Sequence, residues 1–534
     1  MRCITSVRLL ILASMLTALN GCQQKNEKVV RLSNGAQVEL PARTIAALTG
    51  KQLAQGYCAG CHVYPEPTLL DKQTWKNKVL PNMALRLGLG GDGFAKYAGL
   101  SSEEIMAVVQ AGVYPDEPAI EEEAWQKIVN FYVEEAPDQL PLPKASARKL
   151  KVGTELLQEV MPRWQEGKSS SITLVKIDPR HKRIVTGDQF HNLVVYDSEL
   201  KKADTVFLDS PPVSLVPETA GGFKVLTIGE INPSDRTAGD LYSIQKANAS
   251  SGFEVRKLLS TLKRPVYVAA SDIDQDGLED LIVCQHGNYT GELSWFRKTK
   301  EGGYQQKILK KAAGARKAIV SDFDQDGRQD ILALFAQGQE QVVLFLNQGN
   351  GRFNEKVVLQ FPPVYGSSYL EVVDFDGDGA LDILYTNGDN ADYSFSLKPY
   401  HGIRIFLNDK KNNFKEAYFF QLHGASIAKA CDFDQDGDID IAAIAYFPDY
   451  ENAPEAGFVY LENTGNFTFQ PSVLQHATAG RWLVMDTGDI DQDGDQDIVL
   501  GSYTHSPTPV PELLQQQWQQ HGAGILLLKN KLKE

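Results

Sequence analysis

One nine-residue pattern recurs five times in the second half of the chain and restricts the folds open to it. The copies are DIDQDGLED from Asp272, DFDQDGRQD from Asp322, DFDGDGALD from Asp374, DFDQDGDID from Asp432 and DIDQDGDQD from Asp489. Their first residues follow one another at 50, 52, 58 and 57 positions. An apolar or alternating run precedes each copy, and another follows, as in LIV, ILAL, ILY, IAAIA and IVL. Runs this short read as strands. A strand-only unit repeating at this interval is a propeller blade.

The pattern carries its own chemistry. Carboxylates at positions 1, 3, 5 and 9 can converge on one hard cation, with a backbone carbonyl at position 7. Glycine at position 6 makes the sharp turn; it is Gly277, Gly327, Gly379, Gly437 or Gly494. The candidate ligands are Asp272, Asp274, Asp276 and Asp280 in the first loop and Asp322, Asp324, Asp326 and Asp330 in the second. Asp374, Asp376, Asp378 and Asp382 form the third set, and Asp432, Asp434, Asp436 and Asp440 the fourth. Asp489, Asp491, Asp493 and Asp497 form the fifth. Four carboxylates this close repel unless a cation joins them, so about five Ca²⁺ ions are expected. The bland alternative is a set of solvated acidic turns. The motif resembles the FG-GAP or VCBS repeats of integrin-alpha-like propellers, which implies a β-propeller.

Two further blades fit between residues 168 and 265. SSSITLVKIDPRHKRIVTGDQFHNLVVYD has the strand rhythm without the aspartates, and PVSLVPETAGGFKVLTIGEI parallels PVYVAASDIDQDGLEDLIV with a shorter loop. Blade starts then fall near 170, 212, 265, 317, 367, 425 and 481, which gives an all-β seven-bladed propeller over 168–534.

A different motif stands nearer the N-terminus. CAGCH, Cys58 to His62, places two thiols three apart with a histidine next to them. This is the attachment pattern of haem c: Cys58 and Cys61 would bond the vinyl groups, and His62 would be the proximal iron ligand. Zinc would need two more ligands, and residues 44–136 hold no other Cys or His. Helical patterns run through this stretch. Ser101 precedes an apolar-periodic run and has Glu104 three residues on, a capping signal. EEAWQKIVNFYVEE sets Trp125, Ile128, Val129 and Tyr132 on one face. The stretch resembles a small all-α class I cytochrome c domain, which implies a distal methionine. Met83, in VLPNMALRLG, is the candidate on a proline-containing loop; Met106 lies within a helix, where core packing is the alternative.

The remaining features concern location. Arg2 and Arg8 precede an apolar run from Leu9 to Leu19, a short export signal over 1–21. LNGC at Leu19–Cys22 resembles a bacterial lipobox, which implies a lipid on Cys22. Gln23 follows it, so the outer membrane is the favoured site for this extracytoplasmic, lipid-anchored chain. Residues 22–43 read as a tether, 44–136 as the haem domain and 137–167 as a linker. The net charge of −15 argues against nucleic acid as a partner. Cys284 and Cys431 flank strand-like runs and read as buried small apolar residues rather than a disulfide.

The aspartate loops join the first and second strands of their blades and share one face. The long insertions follow the second strands and collect on the other. Long loops of this kind often carry function. Arg264, His286, Arg316, Asp392, Tyr400, His401, His423, Tyr450, Arg481 and His505 are the candidate ligand face there, suited to an anionic or polyhydroxylated ligand. Pairing of the arginines with acidic neighbours is the alternative. The reading favoured by the sequence is a membrane-anchored c-type haem protein for electron transfer, its propeller docking a redox partner protein or small ligand. A haem-tethered oxidoreductase acting on a sugar-like substrate and a glycan- or protein-binding surface lipoprotein remain open; no catalytic residue stands out.

Overall fold

The computed structural model describes residues 27–31, 37–41, 47–90, 93–141, 150–161, 169–247, 252–389, 393–505 and 508–533. The export signal, Cys22 and Asp392 lie outside the described residues.

Seven antiparallel sheets surround one axis. The innermost strands are Ile172–Asp178, Pro212–Pro217, Pro265–Ser271, Ala315–Ser321, Ser367–Val373, Ala425–Cys431 and Trp482–Gly488. Each touches the innermost strand of the next blade, and the seventh touches the first, so the ring is closed. The second strands show why the sequence folds this way. Asp280–Gln285, Asp382–Asn387 and Asp440–Ala445 are buried at every residue, because both faces of a middle strand pack against neighbouring blades. One such interlayer, between blades 3 and 4, joins Ile282, Cys284, Leu293 and Trp295 to Ala318, Ile331, Ala333 and Phe335. Cys284 and Cys431 are both free thiols.

Residues 151–160, within the stretch read as linker, belong to the ring. Leu157–Val160 is the outer strand of blade 7, antiparallel to Ile525–Asn530. Lys151–Val152 adds a fifth strand to blade 6, parallel to Phe469–Val473. The seventh sheet is thus completed by chain that precedes the first blade.

The expectation of a small all-α cytochrome c domain followed by a propeller is overturned. The fold is a seven-bladed propeller, mostly strand, and among the described residues no separate all-α domain stands beside it. The helices are short: α1 is Gly50–Cys58, α2 Leu80–Arg86, α3 Ser102–Gln110 and α4 Glu122–Glu135, with α5, Glu512–His521, inside the blade 7 insertion. Local signals were obeyed. The Ser101–Glu104 capping box forms, and Thr49 with Gln52 makes a second one at α1. Helices α1 and α4 approach so closely that a Cβ on Gly50 would lie 2.2 Å from the Lys127 carbonyl oxygen. Leu53, Trp75, Ile128 and Tyr132 are buried between these elements. Helical periodicity, however, says nothing about independence. This segment buries part of its surface on the propeller, and Val364 of the propeller packs into its core. No helix among the described residues is long and apolar enough to cross a membrane.

Candidate functional site

The five aspartate loops lie on one face and share one hydrogen-bond scheme. The position 1 carboxylate accepts the N–H of position 5 at 3.1 Å in every loop. It also accepts the N–H of the position 6 glycine, at 2.8 to 3.1 Å. Oxygens from three aspartates fall within 4.8 Å of one another in each loop: Asp272, Asp274 and Asp276; Asp322, Asp324 and Asp330; Asp374, Asp376 and Asp382; Asp432, Asp434 and Asp440; Asp489, Asp491 and Asp493. Such all-oxygen sets suit a hard divalent cation.

Position 9 has a second role that the motif does not reveal. Asp330 accepts the N–H of Phe323 at 3.0 Å and that of Asn347 at 2.7 Å. Asp280, Asp382, Asp440 and Asp497 make the equivalent pair of bonds, to the second loop residue and to the end of the third strand. All five are buried, so the carboxylate clamps its loop to the blade. Burial, opposed by these bonds, pushes Asp330 and Asp440 up to about 6 and Asp497 up to about 7. A divalent cation would relieve that cost of holding negative charge. Asparagine ends the third strand in four of the blades, at Asn347, Asn408, Asn463 and Asn530. The Asn347 side chain donates to the Ile273 carbonyl of the preceding blade at 2.9 Å, and Asn530 does the same to Phe433 at 2.8 Å. Sequence reasoning missed these residues, although their recurrence after four of the five motifs was a readable signal.

Position 4 links the loops into a chain. Gln275, Gln325, Gln435 and Gln492 have φ between 56° and 63°, and Gly377 has 70°. This left-handed turn sends the glutamine amide to the next blade. Gln275 donates to the Gly327 carbonyl at 2.7 Å, Gln435 to Gly494 at 2.8 Å and Gln492 to Pro179 of blade 1 at 2.8 Å. Gly377 has no side chain for this, so the third loop makes no such reach toward the fourth. The loops also differ in charge. Arg297 forks onto Asp274 and Asp276, Arg328 pairs with Asp326, and Lys529 lies 3.3 Å from Asp491. Among the described residues no ion pair involves the loop Asp432–Asp440.

The opposite face is occupied by the chain's own helical segment. Glu104 on α3 accepts the Ser234 hydroxyl at 2.9 Å and the Asp235 N–H at 3.1 Å from the blade 2 insertion. Glu103 accepts both the N–H and the hydroxyl of Thr237, at 3.0 and 2.7 Å. Tyr400 of blade 5 donates to the Leu69 carbonyl at 3.0 Å, and Gln339 of blade 4 to the Cys61 carbonyl at 3.2 Å. Tyr114 meets Tyr289 of blade 3 edge-on. Burial would raise the Glu104 carboxyl, but bonds from Ser101, Asp235 and Ser234 outweigh it and hold it below its ordinary value. Asp235, also unforeseen, joins the blade 2 and 3 insertions by accepting the N–H groups of Asn288, Tyr289 and Thr290.

This arrangement changes the reading of the candidate ligand face. Arg264 donates to the Ile231 carbonyl at 2.9 Å, and Arg316 to Ser368 at 2.6 Å. Arg481 is 1% exposed and lies 4.1 Å from the Tyr446 ring centroid, with Tyr450 nearby. Backbone carbonyls and aromatic rings thus engage all three arginines. His286 is buried and pushed down to about 3, by burial first and then by the charges of Arg264 and Arg316. His401 is buried, Tyr400 stacks on Tyr365, and burial lowers His423. Of the set, His505 alone is strongly exposed among the described residues.

The CAGCH motif sits where α1 ends. Cys58 is partly buried against the helical core, and burial pushes its thiol up to about 11; Cys61 is exposed. The His62 Nδ1 lies 3.0 Å from the Val63 carbonyl. A carbonyl only accepts, so Nδ1 carries the proton and Nε2 keeps its lone pair for a metal. Burial lowers the His62 pKa, which favours that neutral ring. Met83 lies in α2, not on a loop, because the helix runs past Pro81 behind a π turn at Trp75–Val79. It packs against the same core as Cys58. Met106 is 62% exposed and so plays no part in core packing. A cavity of about 500 Å³ lined by Thr49, Gly50, Pro67 and Phe131 shares no residue with the motif.

Comparison with known proteins agrees with the repeats. The family model for the FG-GAP-like repeat matches residues 272–333, 322–385 and 432–500. No curated protein matches the chain. Among solved structures, BBS1N in complex with ARL6DN is similar at 10% identity and a TM-score of 0.40, over 68% of this chain and 93% of that one. The Cps50 (Swd1) β-propeller domain of Myceliophteria thermophila is similar at 10% identity and a TM-score of 0.42, over 68% of this chain and 98% of that one. By its own sheet topology the chain is a seven-bladed β-propeller, and the matched segments are FG-GAP-like repeats.

Proposed function

We propose that this protein is an extracytoplasmic electron carrier, anchored to a bacterial membrane through lipid on Cys22, whose calcium-filled propeller is the scaffold on which the redox site and its partner meet. The observation that carries the reading is the cluster at the end of α1. Two thiols and a histidine in its ligand tautomer lie within five residues, and Met83 packs on the same core. The residues fit haem c: Cys58 and Cys61 would hold it, and His62 Nε2 and Met83 Sδ would be its iron ligands. Bound haem c supplies reversible one-electron chemistry at iron, and a methionine donor raises its potential relative to a second histidine. This chain's contribution is to orient His62 through the Val63 carbonyl and to shield Cys58 from solvent. The insertion face holds the segment in place, since Gln339 donates to the carbonyl of Cys61 itself. A redox partner would approach the exposed Cys61 side, next to blade 4.

The test is expression of the full chain with its own export signal in a host that matures c-type cytochromes. The purified protein should carry the mass of one haem, resist acid–acetone extraction of it, and lose it in Cys58→Ala/Cys61→Ala. Met83→Ala should retain the haem and change its spin state. Wild-type protein isolated without covalent haem would overturn the reading.

A further inference from the structure

The axis of the ring holds a charged system that neither calcium nor haem explains. Strand register places its members in two layers. In the deeper layer, Lys176, Glu371, Lys429 and Asp486 occupy equivalent positions on innermost strands of blades 1, 5, 6 and 7. Taken in ring order from blade 5 to blade 1 the charges alternate. Lys429 lies 3.6 Å from Glu371 and 3.5 Å from Asp486, and Asp486 lies 2.9 Å from Lys176. This tetrad is neutral and internally paired.

The next layer lies two residues nearer the insertion face. There Tyr267, Lys317 and Tyr369 are equivalent on blades 3, 4 and 5. Lys317 is 8% exposed. Its ammonium lies 3.6 Å from the Tyr369 ring centroid and 5.3 Å from that of Tyr267. Among the described residues no carboxylate comes within ion-pair distance of it. Aromatic faces compensate a buried ammonium only in part. These two layers therefore contain three lysines against two carboxylates, with the surplus lysine in a defined aromatic setting. Tyr267, Tyr369, Glu371 and Lys429 stay partly exposed although they sit on innermost strands, so solvent reaches this depth.

We propose that the axial channel binds a small anion, a halide or a carboxylate group, against the Lys317 ammonium. The site has the parts such a ligand needs: one buried, uncompensated positive charge, two flanking tyrosines, and a neutral tetrad beneath that neither repels nor replaces the guest. Without an anion, burial and the charge of Lys429 hold Lys317 well below its ordinary pKa; Glu371 and Asp486 oppose this and Lys176 adds to it. An anion beside Lys317 would favour its charged form. The inference is independent of the haem and calcium readings.

Crystals of the full chain soaked in sodium bromide, with data collected at the bromine edge, test it. A bromide peak in contact with Lys317 Nζ is expected, and it should disappear on co-soaking with excess sodium acetate if the site also takes carboxylates. Persistence of the peak assigns the site to halides, still in support. Lys317→Met should abolish the peak, while Lys317→Arg, which keeps the charge, should retain it. If Lys317→Met fails to fold, the peak position in the wild type decides alone. Bromide found only at surface sites, with no density for bromide or acetate on the axis, would overturn the proposal.

Discussion

On the loop face, Asp280, Asp330, Asp382, Asp440 and Asp497 occupy one structural position and accept the same two kinds of backbone N–H. On the insertion face the contacts differ from blade to blade: blade 2 presents the Ser234 and Thr237 hydroxyls, blade 3 the Tyr289 ring, blade 4 the Gln339 amide and blade 5 the Tyr400 hydroxyl. The first surface is made by repetition of a local unit whose aspartates come from a single blade. The second is made by unlike insertions that acquire a common purpose only through the helical segment they hold. Repetition suits ion binding that stabilises the ring; variety suits recognition of one particular partner, here a part of the same chain.

The largest expected effect separates the faces by metal. Chelation with EDTA should lower the melting temperature of the whole ring, since each cation bound at a hundredfold excess over Kd contributes about 2.7 kcal/mol. Hydrogen exchange should quicken in the loops and leave the α3 contact largely unchanged. An unaltered melting temperature would remove the functional distinction between the two faces.

A smaller effect divides the loop itself. Asp497→Ala leaves the buried N–H groups of Ile490 and Asn530 without their acceptor and should cost about 1–3 kcal/mol for each in urea unfolding, with or without calcium. Asp493→Asn, at an exposed ligand position, should weaken calcium binding with little effect on the metal-free protein. Equal losses in metal-free protein would show that position 9 is a ligand and no more. Next comes Glu104→Ala, which should cost about 1–3 kcal/mol in the attachment of α3. Faster exchange confined to residues 102–110 and the blade 2 insertion would confirm that the insertion face unfolds by itself; faster exchange throughout the ring would merge the two regions. The smallest effect is that of Gln435→Ala, about 0.5–1.5 kcal/mol for one hydrogen bond to the next blade. Thermal unfolding with calcium present reads it, and Gly377 shows that the ring already closes with one such link missing.

Much of the architecture could be read in advance. The innermost strands begin at Ile172, Pro212, Pro265, Ala315, Ser367, Ala425 and Trp482, within two residues of the starts inferred from the repeats. The aspartate clusters were legible too, and so was the Ser101–Glu104 cap. These features are local: two-residue periodicity, a turn that requires glycine, and ligands carried within nine positions of chain. What could not be read was the second partner of each group. Glu104 was visible as a capping residue, yet its other oxygen serves Ser234, 130 positions away. Tyr400 was visible as a loop aromatic, but its hydroxyl is used 331 positions back, at Leu69. Arg264, Arg316 and Arg481 looked available because the carbonyls and rings that occupy them appear only after the loops have folded.

The sequence by itself determined the seven blades, the five aspartate loops and the CAGCH triplet, because strand alternation, turn geometry and ligand spacing act over a few residues. Only the tertiary structure decided that the helical segment lies on the insertion face, that residues 151–160 complete blades 6 and 7, and that Lys317 stands on the axis with no carboxylate partner among the described residues. Those outcomes depend on which surfaces meet when the ring closes, and closure brings together groups that no local pattern relates.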